Sequence, residues 1–313
     1  MATRQATMIP FFTTLLDSCF TTKNLEKLKQ IHAKTIITGI SRHDFIRSKL
    51  ISSYSSCSQL HQASIIFSYT NRQSTFLFNT LIRSYSNIGY FSDSLDLFRK
   101  MTRDGKRIDR HTLPAVLKAC AGIPALWMGD CVHLVMIRSG FDSDVVNLNA
   151  LVTMYGKCDK LGYARKVFDE MSYRNVVTFS AMMNAYGIHG KCNEVFEVFE
   201  RMVNDGVEPD EVTFTGVLTA CSHKGFVDKG VEYFVMMTER FGVKPSLEHY
   251  TCMVDMLGRA GRVEEAEMMV EEMDGVPDEV LWSALLAACK KHRKVEVAER
   301  LAEKIYGRQL VST

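Results

Sequence analysis

Proline is scarce in this 313-residue chain, which contains only six, and net charge is nearly absent. The 38 Lys and Arg residues against 36 Asp and Glu leave a formal charge of +2, so no molecule-wide field favours a polyanion. No apolar run approaches the roughly 18 residues that a membrane-spanning helix needs. Hydrophobic residues make up 46% of the chain, which argues against disorder. The composition predicts a folded protein without a membrane span, whose affinity for nucleic acid would depend on local charge.

Motifs for metal binding and catalysis are also missing. The chain has no Cys-x-x-Cys and no His-x-Glu, and its nine cysteines are an odd number. It contains no Gly-x-Ser-x-Gly turn, glycine-rich phosphate loop or Ser-His-Asp arrangement. These absences predict free thiols in a reducing compartment and a protein with no catalytic residues, metal or cofactor. His32 and His133 are expected to be buried and hydrogen-bonded rather than metal ligands.

What the chain does contain is a helical hairpin, seen most clearly in Val176–Asp210. The apolar residues of its first half recur at the spacing of one helix face: Phe179, Met182, Met183 and Tyr186. Those of its second half do the same: Val195, Val198, Phe199, Met202 and Val203. Each predicted helix has about 10 to 12 residues, too few to be stable alone in water, so neighbouring copies must pack against both.

Such copies fill most of the chain. With Val176 as position 1 and Asp210 as position 35, the repeats are Ile9–His43, Asp44–Ser74, Thr75–Asp109, Arg110–Asp144, Val145–Asn175, Val176–Asp210, Glu211–Ser246 and Leu247–Asp278, and a shortened ninth begins at Glu279. Position 15 is glycine in several repeats, Gly89, Gly190, Gly225 and Gly261, which predicts a positive φ between the two helices. Position 20 is small, Ala63, Gly129, Ala164, Gly230 and Ala266, which predicts a close approach of the two helices of a hairpin.

These repeats resemble the pentatricopeptide repeat family, and specifically its plant branch in which plain, long and short repeats alternate. The resemblance is carried by LPAVLKACAGIPAL at Leu113–Leu126, LVTMYGKC at Leu151–Cys158 and the VVTFSAMM opening at Val176. The end of the chain, Glu248–Met273 and Pro277–His292, is similar to the last short repeat and first extension motif of that branch. The resemblance implies an all-α, right-handed superhelical solenoid of helix-turn-helix repeats, with first helices lining its concave face.

The expected organisation has three parts within one continuous body. Residues 1–8 form a short tail, 9–278 hold eight repeats, and 279–313 hold a partial extension motif and a C-terminal tail. The first sixteen residues contain one arginine and no acidic residue, which faintly resembles an organelle-import peptide, although Phe11, Phe12, Leu15 and Leu16 equally suit the apolar face of a first helix. Family resemblance implies the mitochondrion or the chloroplast, and we favour the mitochondrion.

Position 5 of each repeat lies one step off the apolar stripe of the first helix. Its residues are Thr13, Ser48, Asn79, Pro114, Asn149, Ser180, Thr215, Thr251 and Ser283. A solvated helix edge selected for stability would favour Lys, Glu or Gln, so this run of small polar residues indicates another role. In the family, the residues at position 5 and at the end of the repeat together recognise one RNA base, whose Watson–Crick edge is free only in single-stranded RNA.

Carried over to this chain, the family pattern implies a base for most repeats. Asn79 with Asp109 should favour U, Asn149 with Asn175 a pyrimidine, Ser180 with Asp210 G, Thr251 with Asp278 G, and Ser48 with Ser74 A. Thr13/His43, Pro114/Asp144 and Thr215/Ser246 are left unassigned. The expected site therefore runs 5′-A-U-N-Y-G-N-G in the direction of the protein chain.

Two further sets of residues are expected to contact RNA. The apolar position-2 residues Phe76, Val146, Val177 and Val212 are candidates to sandwich each base, with ordinary hairpin packing as the alternative. The cations at position 13, Lys157, Arg259 and Lys291, are candidates for phosphate contacts, with a favourable interaction at a helix C-terminus as the alternative.

The functional hypothesis is sequence-specific binding of single-stranded organellar RNA, as a site-recognition factor for C-to-U editing. The His-x-Glu and Pro-Cys-x-x-Cys motifs of zinc deaminases are missing, so a deaminase-bearing protein or another editing factor is expected to act in trans. A role in organellar splicing or transcript stability is the alternative. A protein-binding scaffold is less favoured, because tetratricopeptide arrays keep a single 34-residue period and this chain alternates between repeats of about 31 and 35 residues.

Overall fold

Every regular element in the part of the chain that the structure describes is helical. The structure, a computed structural model, describes residues 2–309, and the side chains of residues 8–305. The helices are α1 (Ala2–Thr22), α2 (Leu25–Ile37), α3 (Asp44–Ser56), α4 (Leu60–Ser68), α5 (Thr75–Ile88), α6 (Phe91–Arg103), α7 (Thr112–Gly122), α8 (Leu126–Arg138), α9 (Val145–Lys157), α10 (Leu161–Glu170), α11 (Val176–Ile188), α12 (Cys192–Asn204), α13 (Glu211–Lys224), α14 (Val227–Glu239), α15 (Leu247–Ala260), α16 (Val263–Glu271), α17 (Glu279–His292) and α18 (Val295–Gln309). A short 3₁₀ turn, Ile40–Arg42, follows α2.

The helices form pairs that follow the predicted repeats, which confirms the all-α, helix-turn-helix repeat fold. From Asp44 onward each predicted repeat starts at the first residue of an odd-numbered helix, except at Arg110, where α7 begins two residues later at Thr112. The sequence placed residues 1–8 outside the first repeat, but α1 already begins at Ala2. The predicted partial extension motif is likewise a complete helix pair, α17 and α18.

Contacts within the chain divide it into two compact units, Met1–Tyr163 and Ala164–Thr313, where the sequence suggested one body. In the first unit the odd-numbered helices from α1 to α9 pack against one another in chain order. In the second unit α11, α13, α15 and α17 do the same. The even-numbered helices other than α10 pack against their own partner and, in most repeats, against the next odd-numbered helix, so each unit has a layer of first helices and a layer of second helices.

Buried apolar side chains of successive repeats form the core of each unit. Leu117 of α7 and Phe179 of α11 are fully buried, and so are Met101 of α6 and Met202 of α12. Burying a side chain of this size contributes about 1.5–3 kcal/mol, which explains how helices too short to be stable alone are held in place. No helix among the described residues is both long and apolar enough to cross a bilayer.

Position 15 has the predicted left-handed backbone. Gly89, Gly190, Gly225 and Gly261 have φ values of +96°, +66°, +69° and +82°. Four other repeats adopt the same conformation with a side chain in place: Lys23, Ser58, Asp159 and Arg293, with φ from +51° to +60°. The turn geometry therefore belongs to the repeat and not to glycine, although glycine adopts it at the lowest conformational cost.

The small residues at position 20 allow a different approach from the one predicted. A Cβ on Gly129 would overlap the thioether of Met154, and one on Gly230 would overlap that of Met256. Both methionines lie on the first helix of the following repeat. At Gly230 the nearest atom of the same hairpin is Cβ of Cys221, at an ordinary 3.5 Å. At these two glycines, the absence of a side chain makes room for a methionine of the next repeat.

All nine cysteines are free, and most of them are buried. Burial raises the pKa of Cys120 and of Cys221 to about 12, so both thiols are protonated and poorly nucleophilic at neutral pH.

His32 and His133 are hydrogen-bonded as predicted, but they are only half-buried. Nδ1 of His32 lies 3.0 Å from the Tyr54 hydroxyl, and Nδ1 of His133 lies 3.0 Å from that of Tyr155.

Candidate nucleic-acid interface

The last residue of a repeat caps the first helix of the next repeat. Asp210 Oδ1 accepts the Thr213 backbone N–H at 2.9 Å, and Asp278 Oδ1 accepts that of Leu281 at 2.8 Å. Asn175 caps α11 through the backbone N–H of Thr178 at 3.1 Å. Asp and Asn are preferred at this place because their side chains satisfy backbone donors that the helix cannot, and a carboxylate also interacts well with the helix N-terminus. Capping holds each of these candidate base-recognition residues in one orientation.

The pair Asn79 and Asp109 is in direct contact. The Asn79 amide donates to both carboxylate oxygens of Asp109, each at 3.0 Å, and its carbonyl oxygen accepts the Thr112 hydroxyl at 2.7 Å. Asn79 is only 3% exposed. The structure therefore brings this predicted pair together, across 30 residues of sequence, at the edge of the first-helix layer.

Ser180 and Asp210 are joined through one intervening side chain. The Ser180 hydroxyl lies 3.2 Å from the Thr213 hydroxyl, which in turn donates to Asp210 Oδ1 at 2.8 Å. The contact is indirect because serine is shorter than asparagine. A smaller side chain at position 5 leaves more room at this interface, as the predicted preference for a purine requires.

Two other predicted pairs, Ser48 with Ser74 and Thr251 with Asp278, show no such link in the described part of the chain. Ser48 contacts Thr80 at 3.2 Å, whereas the Ser74 hydroxyl is buried without a hydrogen-bond partner among the described residues. Thr251 donates to the Leu247 carbonyl of its own helix at 2.8 Å, and Asp278 serves as a cap. Asn149 is largely buried in the first unit, and Asn175 belongs to the second.

The unassigned pair Thr215 and Ser246 is connected by His249, a residue that the sequence interpretation missed. Thr215 Oγ1 lies 3.1 Å from His249 Nε2, and the Ser246 hydroxyl lies 2.8 Å from His249 Nδ1. His249 is fully buried. Its place in the repeat, position 3, is the signal that could have found it, because Thr112 and Thr213 occupy the same position.

The candidate sandwich residues are largely exposed, so hairpin packing uses only part of their surface. Phe76, Val146, Val177 and Val212 are between 46% and 65% exposed. Phe45 and Val280, at the same position of two other repeats, are 39% and 62% exposed and extend the series. In the first unit, Phe45 and Phe76 line a groove of about 480 Å³ together with Ser48 and Thr80. In the second, Val212 lines a groove of about 360 Å³ with Ser180 and Thr215.

The predicted phosphate-binding cations differ in their surroundings. Lys157 lies at the end of α9 and is exposed. The Arg259 guanidinium is paired with Asp255 and also donates to Ser222 at 3.1 Å. Burial acts to raise the pKa of Asp255, but Arg259 outweighs it, so this pKa is lowered and the pair is ionised at neutral pH. Lys291 donates to the Arg259 backbone carbonyl at 3.4 Å.

A basic groove that the sequence interpretation missed lies in the first unit. It has a volume of about 430 Å³ and is lined by Arg83, Arg110, Lys118 and His111, with Asp144 as its acidic member. No ion pair to Arg83, Arg110 or Lys118 occurs within the described residues. By contrast, Arg262 on the second-helix layer of the other unit pairs with Asp228 at 2.7 Å. We refer to the cluster of Arg83, Arg110 and Lys118 as the basic groove.

Known proteins resemble this chain in sequence and in fold. Models of the PPR repeat family match residues 174–223, of the PPR repeat 76–105, 212–240 and 241–274, and of the pentatricopeptide repeat domain 134–189. The chain is 38% identical over 302 residues to the pentatricopeptide repeat-containing protein CRR2, chloroplastic, of Arabidopsis thaliana, covering 95% of the chain and 46% of that protein. It is 38% identical over 278 residues to the mitochondrial pentatricopeptide repeat-containing protein At1g06140 of the same plant, covering 88% and 50%.

Among solved structures, the chain resembles PPR10 in complex with an 18-nucleotide psaJ RNA element. The TM-score is 0.69 at 18% identity, over 91% of this chain and 43% of that one. The PPR10 structure from maize gives 0.64 at 21% identity, over 95% and 49%. These likenesses support the repeat fold. The chain spans about half the length of the curated relatives named here.

Proposed function

The chain belongs to the pentatricopeptide repeat family, as a plant-type member, and we propose that it binds single-stranded RNA by recognising one base at each repeat interface. The observation that carries this proposal is the contact between Asn79 and Asp109, two residues that are 30 positions apart and belong to one expected base-recognition pair. Asn79 is nearly buried and Asp109 is half-buried, and together they place an amide and a carboxylate side by side at the edge of the first-helix layer. Such a set can match the Watson–Crick edge of an unpaired base.

Exposed apolar residues beside each pair supply the second part of the proposal. Phe76 and Val212 lie on the first turn of their helices, next to the position-5 residues and at the edge of open grooves. A base placed there would stack on an apolar surface that is otherwise exposed to water. Stacking of this kind is worth about 1–3 kcal/mol per base and tolerates any sequence, so affinity would come from position 2 and selectivity from positions 5 and 35.

The charge distribution supplies the third part. Arg262 on the second-helix layer is paired with a carboxylate, whereas the basic groove is open and its three cations are available to phosphates. Pro114, the position-5 residue that cannot donate a side-chain hydrogen bond, lies in this groove. We infer that this repeat contacts the phosphate backbone of the RNA and does not select a base. We infer that Lys157 also contacts a phosphate.

Binding by the purified protein to labelled RNA tests the proposal. Single-stranded RNA should bind at low salt, and a perfect duplex of the same sequence should bind much more weakly because its Watson–Crick edges are occupied. The double variant Asn79→Ala/Ser180→Ala should lose preference for the selected sequence. The matched control Asn204→Ala/Ser68→Ala removes the same residue types from the second-helix layer and should behave like the unaltered protein. Equal binding of duplex and single strand, or no binding of either, would refute the proposal.

Within RNA binding, we propose a role as the site-recognition factor of C-to-U editing in an organelle. The plant-type repeats and the extension-like helix pair α17 and α18 support this role, as does the chloroplastic or mitochondrial naming of relatives. The 313 residues carry no zinc-deaminase motif, so the deamination is assigned to a protein outside them. The organelle is the mitochondrion or the chloroplast, and we favour the mitochondrion.

Transcriptomes of plants that lack the gene distinguish this role from its alternative. The editing role predicts the loss of one or a few C-to-U events downstream of a sequence compatible with 5′-A-U-N-Y-G-N-G. If every editing site is intact while one intron accumulates unspliced or one transcript is lost, a splicing or stability role replaces editing, and RNA binding is retained.

A further inference from the structure

Position 3 of the first helix holds a fully buried polar residue in several repeats. Thr112, Thr178, Thr213 and His249 all have no exposed surface. Each bonds back to the last residue of the preceding repeat, which caps its own helix: Thr178 to Asn175 at 3.0 Å, Thr213 to Asp210 at 2.8 Å, Thr112 to Asp109 at 3.1 Å and His249 to Ser246 at 2.8 Å. A polar side chain is costly to bury without partners, and these contacts offset that cost at the four residues.

Three of these residues also contact the position-5 residue of the preceding repeat. Thr112 donates to Asn79 at 2.7 Å, Thr213 lies 3.2 Å from the Ser180 hydroxyl, and His249 lies 3.1 Å from the Thr215 hydroxyl. One buried side chain therefore touches both members of an expected base-recognition pair. Each arrangement lies within one unit of the chain: that of Thr112 in the first unit, and those of Thr213 and His249 in the second.

The contacts of His249 define where its proton lies. The Ser246 backbone N–H donates to Nδ1 at 2.9 Å, so Nδ1 is an acceptor, and we assign the proton to Nε2. Nε2 lies 2.9 Å from the Glu211 carbonyl oxygen and 3.1 Å from Thr215 Oγ1. The imidazole thus spans the gap between Thr215 and Ser246 that a threonine hydroxyl spans in the other two repeats.

Repeats with leucine at position 3 show the opposite arrangement. Beside Leu77, the Ser74 hydroxyl is buried without a partner in the described part of the chain. Beside Leu281, Thr251 bonds only within its own helix, and Asp278 accepts only the Leu281 backbone N–H among the hydrogen bonds of the described residues. The link between position 5 and the last residue of the repeat therefore accompanies a threonine or histidine at position 3, whereas Asn147, the polar residue at position 3 beside Pro114, is buried with its amide unpartnered among the described residues.

We propose that position 3 is a positioning residue for base recognition, and that Thr215 and Ser246, linked by His249, form a base-selective site. The inference rests on the proposed RNA binding. The buried hydroxyl or imidazole holds the two side chains of the pair in one hydrogen-bonding arrangement before RNA arrives. At Asn79 it also fixes which end of the amide is the donor, because Thr112 donates to the carbonyl end. Preorganised groups lose less conformational freedom on binding, so discrimination between bases is greater.

Selection of RNA from a randomised pool tests the proposal, because the variants themselves identify the register. The Asn79→Ser and Ser180→Asn variants first identify the nucleotides opposite those repeats, as the positions whose preference shifts, and Thr215→Asn does the same for its repeat. Thr112→Val and Thr213→Val replace a hydroxyl with a methyl group of similar size. Each should then reduce base discrimination by about 2- to 10-fold, and only at the nucleotide opposite its own pair. His249→Leu should reduce base discrimination at the nucleotide that Thr215→Asn identified.

The outcomes separate this inference from the proposed function. Thr112→Ser keeps the hydroxyl and should restore discrimination, which a purely structural role would not predict. If the unaltered protein selects a sequence and the valine variants keep every preference, position 3 has no positioning role. If loss of discrimination spreads over all nucleotides, or persists in Thr112→Ser at unchanged thermal stability, the role is structural and the inference is wrong. If the unaltered protein selects no sequence, the proposed function is wrong, and this inference, which rests on it, is wrong too.

Discussion

The Asn79 amide lies 3.0 Å from both carboxylate oxygens of Asp109, whereas Ser180 reaches Asp210 only through the hydroxyl of Thr213. The two pairs share their backbone positions, so the difference follows from the length of the position-5 side chain. An asparagine at residue 180 would extend to Asp210 as Asn79 extends to Asp109, and it would fill the space that a purine needs.

We therefore expect Ser180→Asn to move the preference of its repeat from G toward U. If base-edge contacts here resemble those on DNA, the free-energy difference between the two bases is about 1–3 kcal/mol. Binding selection with both proteins measures the change. Asn204→Asp, a substitution on the second-helix layer, is the control and should change no preference. An unaltered preference in Ser180→Asn would remove Ser180 from the interface.

The basic groove should contribute to affinity without contributing to sequence preference. Lys118→Ala and Arg83→Ala should each weaken binding to all sequences alike, and each should lower the slope of log K against log salt by about 0.7, the value for one phosphate contact on a single strand. Fluorescence anisotropy across a salt series measures the slope. Lys166→Ala, which removes an exposed lysine from α10, should leave it unchanged. A slope that does not fall would show that phosphates bind elsewhere.

Gly258 controls the spacing of α15 and α17. A Cβ at Gly258 would lie 2.7 Å from Cβ of Ala288, and neither atom could rotate away because both are fixed to helical backbone. Gly258→Ala should therefore destabilise the protein by about 1–3 kcal/mol. The control Gly216→Ala lies inside α13 with nothing within 4 Å of the new Cβ, and it should stabilise by about 0.5–1 kcal/mol. Denaturant unfolding measures both, and Ala288→Gly should rescue Gly258→Ala.

The left-handed residue Ser58 predicts a stabilising substitution. Its φ of +60° suits glycine, and glycine occupies the same place in four other repeats. Because relief of strain exceeds the added freedom of the unfolded chain, Ser58→Gly should raise the free energy of unfolding by about 0.5–1 kcal/mol. Ser52→Gly, in the middle of α3, should lower it by a similar amount. A destabilised Ser58→Gly would contradict the backbone conformation at this turn.

Burial lowers the pKa of His32 below its ordinary value of 6.5. The unfolded chain then binds more protons than the folded one between the two values, so stability is complete above pH of about 6.5 and falls as the pH drops toward the lowered pKa. His32→Phe should remove this part of the pH dependence, which denaturant unfolding between pH 7 and pH 5 would reveal. Tyr54→Phe removes the hydrogen-bond partner but keeps the burial, and it should retain most of the dependence. Identical profiles for His32→Phe and the unaltered protein would rule out the effect.

Several features of the molecule follow from sequence because they depend on nearby residues. The apolar spacing within each helix, the capping residue before it and the glycine after it are local, and they located repeat borders within two residues of the helix starts from Asp44 onward. The residue types at position 5 and position 35 were equally visible. Their assignment to particular bases remains a prediction.

Other features depend on which side chains meet across a helix interface, and they lay beyond the sequence. Arg259, a candidate phosphate ligand, also donates to the Ser222 hydroxyl of the preceding repeat, 37 positions away. The basic groove gathers Arg83, Arg110 and Lys118 from positions 9 and 1 of neighbouring repeats, which no single repeat position would group. Position 20 was assigned to its own hairpin, but at Gly129 and Gly230 its space is filled by a methionine of the next repeat.

The sequence by itself determined that the chain forms helical hairpins, where each one begins, and which face of each helix is apolar. Only the tertiary structure decided that His249 joins Thr215 to Ser246, that Asn79 meets Asp109 directly, and that the chain divides into two compact units. The physical reason is the range of the interactions. Helix formation and capping involve residues up to about four positions apart, whereas the contacts of Asn79 with Asp109 and of His249 with Thr215 span 30 and 34 positions and exist only once two helices pack at a particular distance and rotation.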